Sequence, residues 1–123
     1  MEFFDSNVIV KVFYENEYTE KCQDAIREGG ITNTLCLVEA FHILEGITNQ
    51  EKSQRAIKTM LKSNLEVIEV GNKILFEAIK KIQKYNLKIF DMIHYTTAIL
   101  NNCTAIISYD KDFNNLEIQR KEP

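Results

Sequence analysis

Proline is almost missing from this chain: the single one is Pro123, and glycine occurs only four times. So few breakers predict short connections and many helices. No apolar run approaches the ~18 residues that a spanning helix needs. The acidic start, Glu2 and Asp5, lacks the basic stretch that opens a signal peptide, so the expected location is the cytoplasm. The three cysteines, Cys22, Cys36 and Cys103, are odd in number and form no CxxC pair. They read as small reduced core residues, not as a disulfide framework or a zinc site. Repeats and low-complexity segments are also absent. A large excess of one charge is missing too, since the net charge is −3.

What is present fits one globular domain over residues 1–123, with 45% apolar and 27% charged residues. FFD reads as a short strand, and SNVIVKVFYEN as a helix with Ser6 near its start. EYTEKCQDAIREGG has helix-forming composition and stops at Gly29-Gly30. ITNT is a short strand that leads into TLCLVEAFHILEG, a helix closed by Gly46. NQEKSQRAIKTMLKSN is amphipathic, with Ile57, Met60 and Leu61 on one face. LEVIEV alternates as a strand does. GNKILFEAIKKIQKYN and FDMIHYTTAILNN read as helices, the second beginning near Asp91, and TAIIS reads as a strand. Alternation of strands and helices predicts a central parallel sheet in a three-layer α/β/α sandwich.

Against this frame the acids fall in a pattern. Asp5 lies at the carboxyl end of the first strand, Asp110 just past that of TAIIS, and Asp91 at a helix start. Glu39 sits inside an apolar helix among Leu35, Leu37, Val38, Ala40 and Phe41. In open α/β sheets ligands bind outside the carboxyl ends of the strands, where such acids can converge. Each has a plain structural reading as well. Asp5 and Asp91 would serve as helix caps, Glu39 as half of a salt bridge, and Asp110 and Asp112 as turn residues. Carboxylates gathered in one crevice need protonation or divalent cations at pH 7. Oxygen-only ligation selects Mg²⁺ or Mn²⁺ over zinc. With the four acids set aside, fifteen basic residues face the fourteen acids left of eighteen, so net charge does not decide against a nucleic-acid partner.

The ordered set Asp5-Ser6-Asn7, Glu39, DMIHYTTA and Ser108-Tyr109-Asp110-Lys111-Asp112-Phe113 resembles the PIN-domain ribonucleases, in particular the small VapC-type toxins. Tyr95 stands where the family usually has alanine, and Ser108 where threonine is more frequent. The resemblance implies catalytic, metal-holding acids at Asp5, Glu39, Asp91 and Asp110, with Asp112 close by. Ser6 and Asn7 would orient Asp5 or a water, and Ser108 would retain the hydroxyl. It further implies hydrolysis of RNA phosphodiesters with Mg²⁺ or Mn²⁺, an antitoxin partner and a homodimer joined through apolar patches on the first helices; the lack of a long apolar run predicts no membrane partner.

Other residues invite functional readings but have simpler ones. Lys80, Lys81, Lys84 and Lys88 read as a solvated helix face before a phosphate-contacting stripe. Phe13, Tyr14, Tyr18 and Phe41 read as core or interface before base stacking. His94, three residues after Asp91, reads as packing or hydrogen bonding before metal ligation, and His42, three residues after Glu39, is a candidate to support that carboxylate. A response-regulator receiver domain has similar size, but the chain lacks its acidic pair and its phosphoacceptor aspartate. A stronger rival is a PIN-like module that binds RNA or protein without cutting.

Overall fold

Short buried runs set the strands. Phe3 and Phe4 are both fully buried, as are Ala105 and Ile106, which is the pattern of a parallel sheet covered on both faces. The computed structural model describes all 123 residues. It contains β1 (Glu2–Phe4), α1 (Ser6–Lys11), α2 (Thr19–Arg27), β2 (Gly30–Asn33), α3 (Thr34–Ile47) and α4 (Gln50–Leu61). The chain continues through β3 (Leu65–Ile68), α5 (Asn72–Tyr85), α6 (Ile89–Leu100) and β4 (Ala105–Ile107), then a 3₁₀ turn (Lys111–Phe113) and β5 (Gln119–Lys121). The sheet is parallel throughout in the order β3-β2-β1-β4-β5. Helices flank it in a three-layer α/β/α sandwich: α1 packs on α2 and α3, α3 on α4, and α5 on α6.

The chain runs outward from β1 to β2 and β3 on one side, and reaches β4 and β5 on the other. The switch point therefore lies between β1 and β4, where a crevice opens at the carboxyl ends of the strands. The two strands pair Phe4 with Ile107, and the Asp5 N–H donates to the Ile107 carbonyl at 3.0 Å. That register fixes Asp5 beside Ser108.

Several boundaries differ from those read off the sequence. The first helix ends at Lys11, not at Asn16. The Asn16 amide donates to the Lys11 and Tyr14 carbonyls and its Oδ1 accepts from Tyr18 N–H, a local alternative to helical bonding. Gly46 does not close α3, which runs on to Ile47. It stops at Thr48, whose backbone leaves helical geometry with φ −116° and ψ −103°. In α4 the buried side is Ser53, Ala56 and Met60, while Leu61 is 58% exposed. Gly29 and Gly30 do end the second helix segment, with φ of 91° and 142°. A Cβ on Gly30 would lie 2.6 Å from the Glu2 carbonyl oxygen, so only glycine lets β2 approach β1 there.

The exposed large apolar residues do not lie on the first two helices, as a dimer patch there requires. Apart from Met1 and Leu61 they lie on α3 (Val38, Ile43, Ile47), α5 (Leu75, Phe76, Ile79) and α6 (Phe90, Leu100), because α1 buries Val8, Ile9 and Val10 and α2 buries Cys22 and Ile26. Phe13, Tyr14 and Tyr18 pack against the core, and all three cysteines are free and buried. Lys80, Lys84 and Lys88 are exposed.

Tyr95 is fully buried, and its hydroxyl accepts from Ile118 N–H at 3.0 Å. The large residue in the alanine position thus ties α6 to the segment entering β5. Tyr95→Phe should lower stability by about 1–2 kcal/mol, by leaving that N–H without its acceptor. A urea-denaturation midpoint equal to that of the wild type would contradict this.

Candidate active site

Asp5 follows β1 and caps α1, its Oδ1 accepting from Ser6 N–H at 2.7 Å. Cap and site residue are thus not alternatives here. Its Oδ2 accepts from the Ser108 hydroxyl at 2.7 Å and the Asn7 amide at 3.2 Å. Ser108 is the hub at the end of β4. While donating to Asp5, it accepts from Asn7 Nδ2 at 3.2 Å and from Asp110 N–H at 2.9 Å. Asn7 Oδ1 in turn accepts from Tyr109 N–H. Asn7 and Ser108 orient Asp5 through their side chains, whereas Ser6 does so only through its backbone.

Asp110 caps the 3₁₀ turn, its Oδ1 accepting from Asp112 N–H at 2.9 Å. Asp91 lies in the first turn of α6 and accepts no hydrogen bond from any protein group. Asp91, Asp110 and Asp112 bring carboxylate oxygens within 4.8 Å of one another. Two carboxylates at that separation repel by about 3 kcal/mol at an effective dielectric of 20. Asp112, expected only nearby, is a full member of this group.

Glu39, on α3, belongs to a second group with Asp5, Cys36 and His94, whose ligand atoms also lie within 4.8 Å. Its Oε1 accepts from His94 Nε2 at 2.6 Å. The bland reading of Glu39 as half of an ion pair is thus partly realised, with a histidine as the partner. The four predicted acids therefore share one crevice as two adjoining sets, not as a single ring. The sets are close enough that Asp5, Asp110 and Glu39 all disfavour charge on Asp91. His42 is exposed and makes no side-chain hydrogen bond, so Glu39 gets no support from it.

The electrostatics follow from burial and crowding. Burial pushes the Asp5 carboxyl up, against the opposing pull of His94 and the hydrogen bonds from Ser108 and Ser6. Burial, then the Asp5 and Asp110 charges, push Asp91 up to about 6. Burial also raises the Cys36 thiol, so it stays protonated and is a poor ligand. For His94, burial opposes the charge, whereas the hydrogen bond to Glu39 and the nearby Asp5 carboxylate favour it. No lysine or arginine pairs with Asp5, Asp91, Asp110 or Asp112. The Arg120 guanidinium is taken by the Ser108 carbonyl and Glu122. A donor set of carboxylate oxygens with no lysine or arginine partner suits a hard divalent ion.

A family model described as PIN domain matches residues 3–119. The chain belongs to the PIN-domain family. Its fold recurs in several solved structures. Mycobacterium tuberculosis VapC20, a Sarcin-Ricin loop cleaving toxin, aligns over all of both chains with TM-score 0.85 and 12% identity. A chain of a Klebsiella pneumoniae toxin-antitoxin complex aligns with TM-score 0.74 and 18% identity, over 95% of this PIN domain and 93% of that chain. Rickettsia felis VapBC2, bound to a DNA fragment from its promoter, aligns with TM-score 0.72 and 14% identity, over 99% and 98% of the two chains. Curated proteins yield no match by sequence.

Sequence reasoning placed all four acids at this crevice but missed Asn33 and Cys36. The signal for Asn33 was its position directly before an apolar helix, the place of a cap. No helix of this PIN domain is long and apolar enough to cross a membrane.

Asp91 is protonated more readily folded than unfolded, so the folded state binds more protons between its ordinary value of 3.8 and about 6. Stability of the metal-free protein should therefore fall as pH rises through that window. Asp91→Asn should flatten the dependence and raise the melting temperature at pH 7. Thermal unfolding at pH 4.5 to 7 in a chelator checks both, and a melting temperature that climbs with pH would count against the crowding.

Proposed function

We propose that this single-domain protein is a divalent-metal-dependent endoribonuclease, acting in the cytoplasm as the toxin of a toxin–antitoxin pair. The observation that carries the reading is the carboxylate crevice at the β1/β4 switch point, which no lysine or arginine neutralises. Membership of the PIN-domain family and likeness in fold to toxin chains support it.

Asp91, Asp110 and Asp5 would hold Mg²⁺ or Mn²⁺, with Glu39 completing the site and Asp112 beside it. The ion supplies an acidified water and a Lewis acid for the phosphate. The chain's own part is positional. Ser108 and Asn7 fix the Asp5 carboxylate, so little reorganisation is needed as charge develops on the phosphate. Asp91 and Asp110 each keep carboxylate oxygen free of protein hydrogen bonds. Neither a cysteine nor a serine is placed to attack: Cys36 is fully buried, and the Ser108 hydroxyl already donates to Asp5. Cleavage of RNA by water would leave a 3′-hydroxyl and a 5′-phosphate, as the resemblance implies. An antitoxin would restrain the enzyme, and a homodimer would cover the apolar residues of α3 and α5.

Incubation with structured RNA tests the reading. Cleavage should require Mg²⁺ or Mn²⁺, stop in a chelator, and fall about 100-fold or more in Asp5→Asn and Asp110→Asn. Circular dichroism should show both variants folded. Tight, metal-independent RNA binding with no product would instead favour the non-cutting module.

A further inference from the structure

We propose that His94 is a positioning residue: its Nε2–H holds Glu39 by one carboxylate oxygen, and Asn33 dictates which ring nitrogen bears that proton. The inference rests on the metal-nuclease reading for its consequence, though not for its geometry.

Asn33 ends β2 and caps α3, its Oδ1 accepting from Cys36 N–H at 2.8 Å. This assigns the amide, because only an oxygen can accept there. The NH₂ end must then face inward. It lies 3.1 Å from His94 Nδ1 and 3.0 Å from Thr97 Oγ1. Thr97 donates its own hydroxyl proton to the Ile93 carbonyl at 2.8 Å, so it accepts from Asn33. A ring with one proton therefore takes the Asn33 hydrogen bond on Nδ1 and carries its proton on Nε2, 2.6 Å from Glu39 Oε1. Turning the ring over would place carbon atoms against both partners. Phe3 stacks on it at 5.9 Å, and Asn33, Thr97 and His94 are all fully buried.

Two consequences follow. Nε2 has no lone pair to offer, so His94 is withdrawn from metal ligation although it lies among candidate ligands. A histidine bound to a metal through Nε2 ordinarily donates its other N–H outward, and Asn33 blocks that arrangement by donating inward. Glu39, in turn, is held by Oε1, while its Oε2 accepts no hydrogen bond from the protein. The bond links α3 to α6, so the two helices cannot shift without moving this carboxylate.

The test combines three readouts. Nitrogen-15 NMR of the unmodified, metal-free protein, at alkaline pH where the ring holds one proton, should find that proton on Nε2. His94→Phe should bind Mn²⁺ about 10–100-fold more weakly by calorimetry. It should lower kcat for RNA cleavage similarly, with KM unchanged. His94→Gln, which puts an amide N–H near the Nε2 position, should recover most of both, whereas a purely space-filling role would favour the phenylalanine. A proton on Nδ1, or wild-type Mn²⁺ affinity in His94→Phe, overturns the proposal. If the wild-type protein neither binds Mn²⁺ nor cleaves RNA, the nuclease reading fails, and the NMR result alone then decides whether Asn33 sets the tautomer.

Discussion

Carboxylates held in one crevice without a lysine or arginine to pair with them are the constraint on which the rest of this structure depends. The chain has fifteen lysines and arginines, so the deficit at the site is local. The ion pairs with lysine or arginine involve Asp24, Glu51, Glu77, Glu122 and Glu2. The Arg120 guanidinium bonds the Ser108 carbonyl instead of the acids. Repulsion of this kind favours opening, so something elsewhere must hold the strand ends together. The two-sided core around Phe3, Phe4, Ile106 and Ile107 does so, and its burial contributes about 1.5–3 kcal/mol per large side chain.

The crevice lies where it does because β1 and β4 are adjacent in space and distant in sequence. Asp5 and Ser108 are 103 positions apart, yet their hydrogen bond is 2.7 Å long. It follows directly from the pairing of Phe4 with Ile107. Mispairing by one residue would turn Phe3 and Phe4 to the opposite faces and pull Asp5 from Ser108. Register and site are therefore one specification. The same holds on α6, where Asp91 and His94, on one face of the helix, reach different parts of the crevice.

The parts that could be read from sequence were those marked by local contrast. Asp5 stands out after a buried pair of phenylalanines, Glu39 inside an apolar helix, and Asp110 after an apolar run. The alternation of elements made the parallel sheet legible as well. What could not be read depends on contacts formed only in three dimensions. The first helix looks long because VIVKVF suits a helix, but the bonds of the Asn16 side chain end it early. β5 is the polar triplet Gln119–Lys121, an edge strand whose only qualification is a neighbour to pair with. The Asn33–His94 contact spans 61 residues, and nothing in either local segment announces the other.

Sequence reading treated capping and site chemistry as rival explanations for the acids; the geometry removes the rivalry. Every strand-to-helix junction here needs acceptors for the free N–H groups of the helix that follows. Asp5, Asn33 and Asp110 each supply one, to Ser6, Cys36 and Asp112. These junctions are also the carboxyl ends of strands, where the crevice opens. A carboxylate has two oxygens, so one can anchor the helix start while the other stays available: Asp110 does this with a backbone N–H and Glu39 with an imidazole. Asp5 differs in being hydrogen-bonded at both oxygens, and so is the least mobile of the set. Restraint at Asp5 and freedom at Asp91 come from the same few backbone and hydroxyl donors, and that uneven distribution lets a crowded acidic crevice fold while part of its carboxylate oxygen stays free of protein hydrogen bonds.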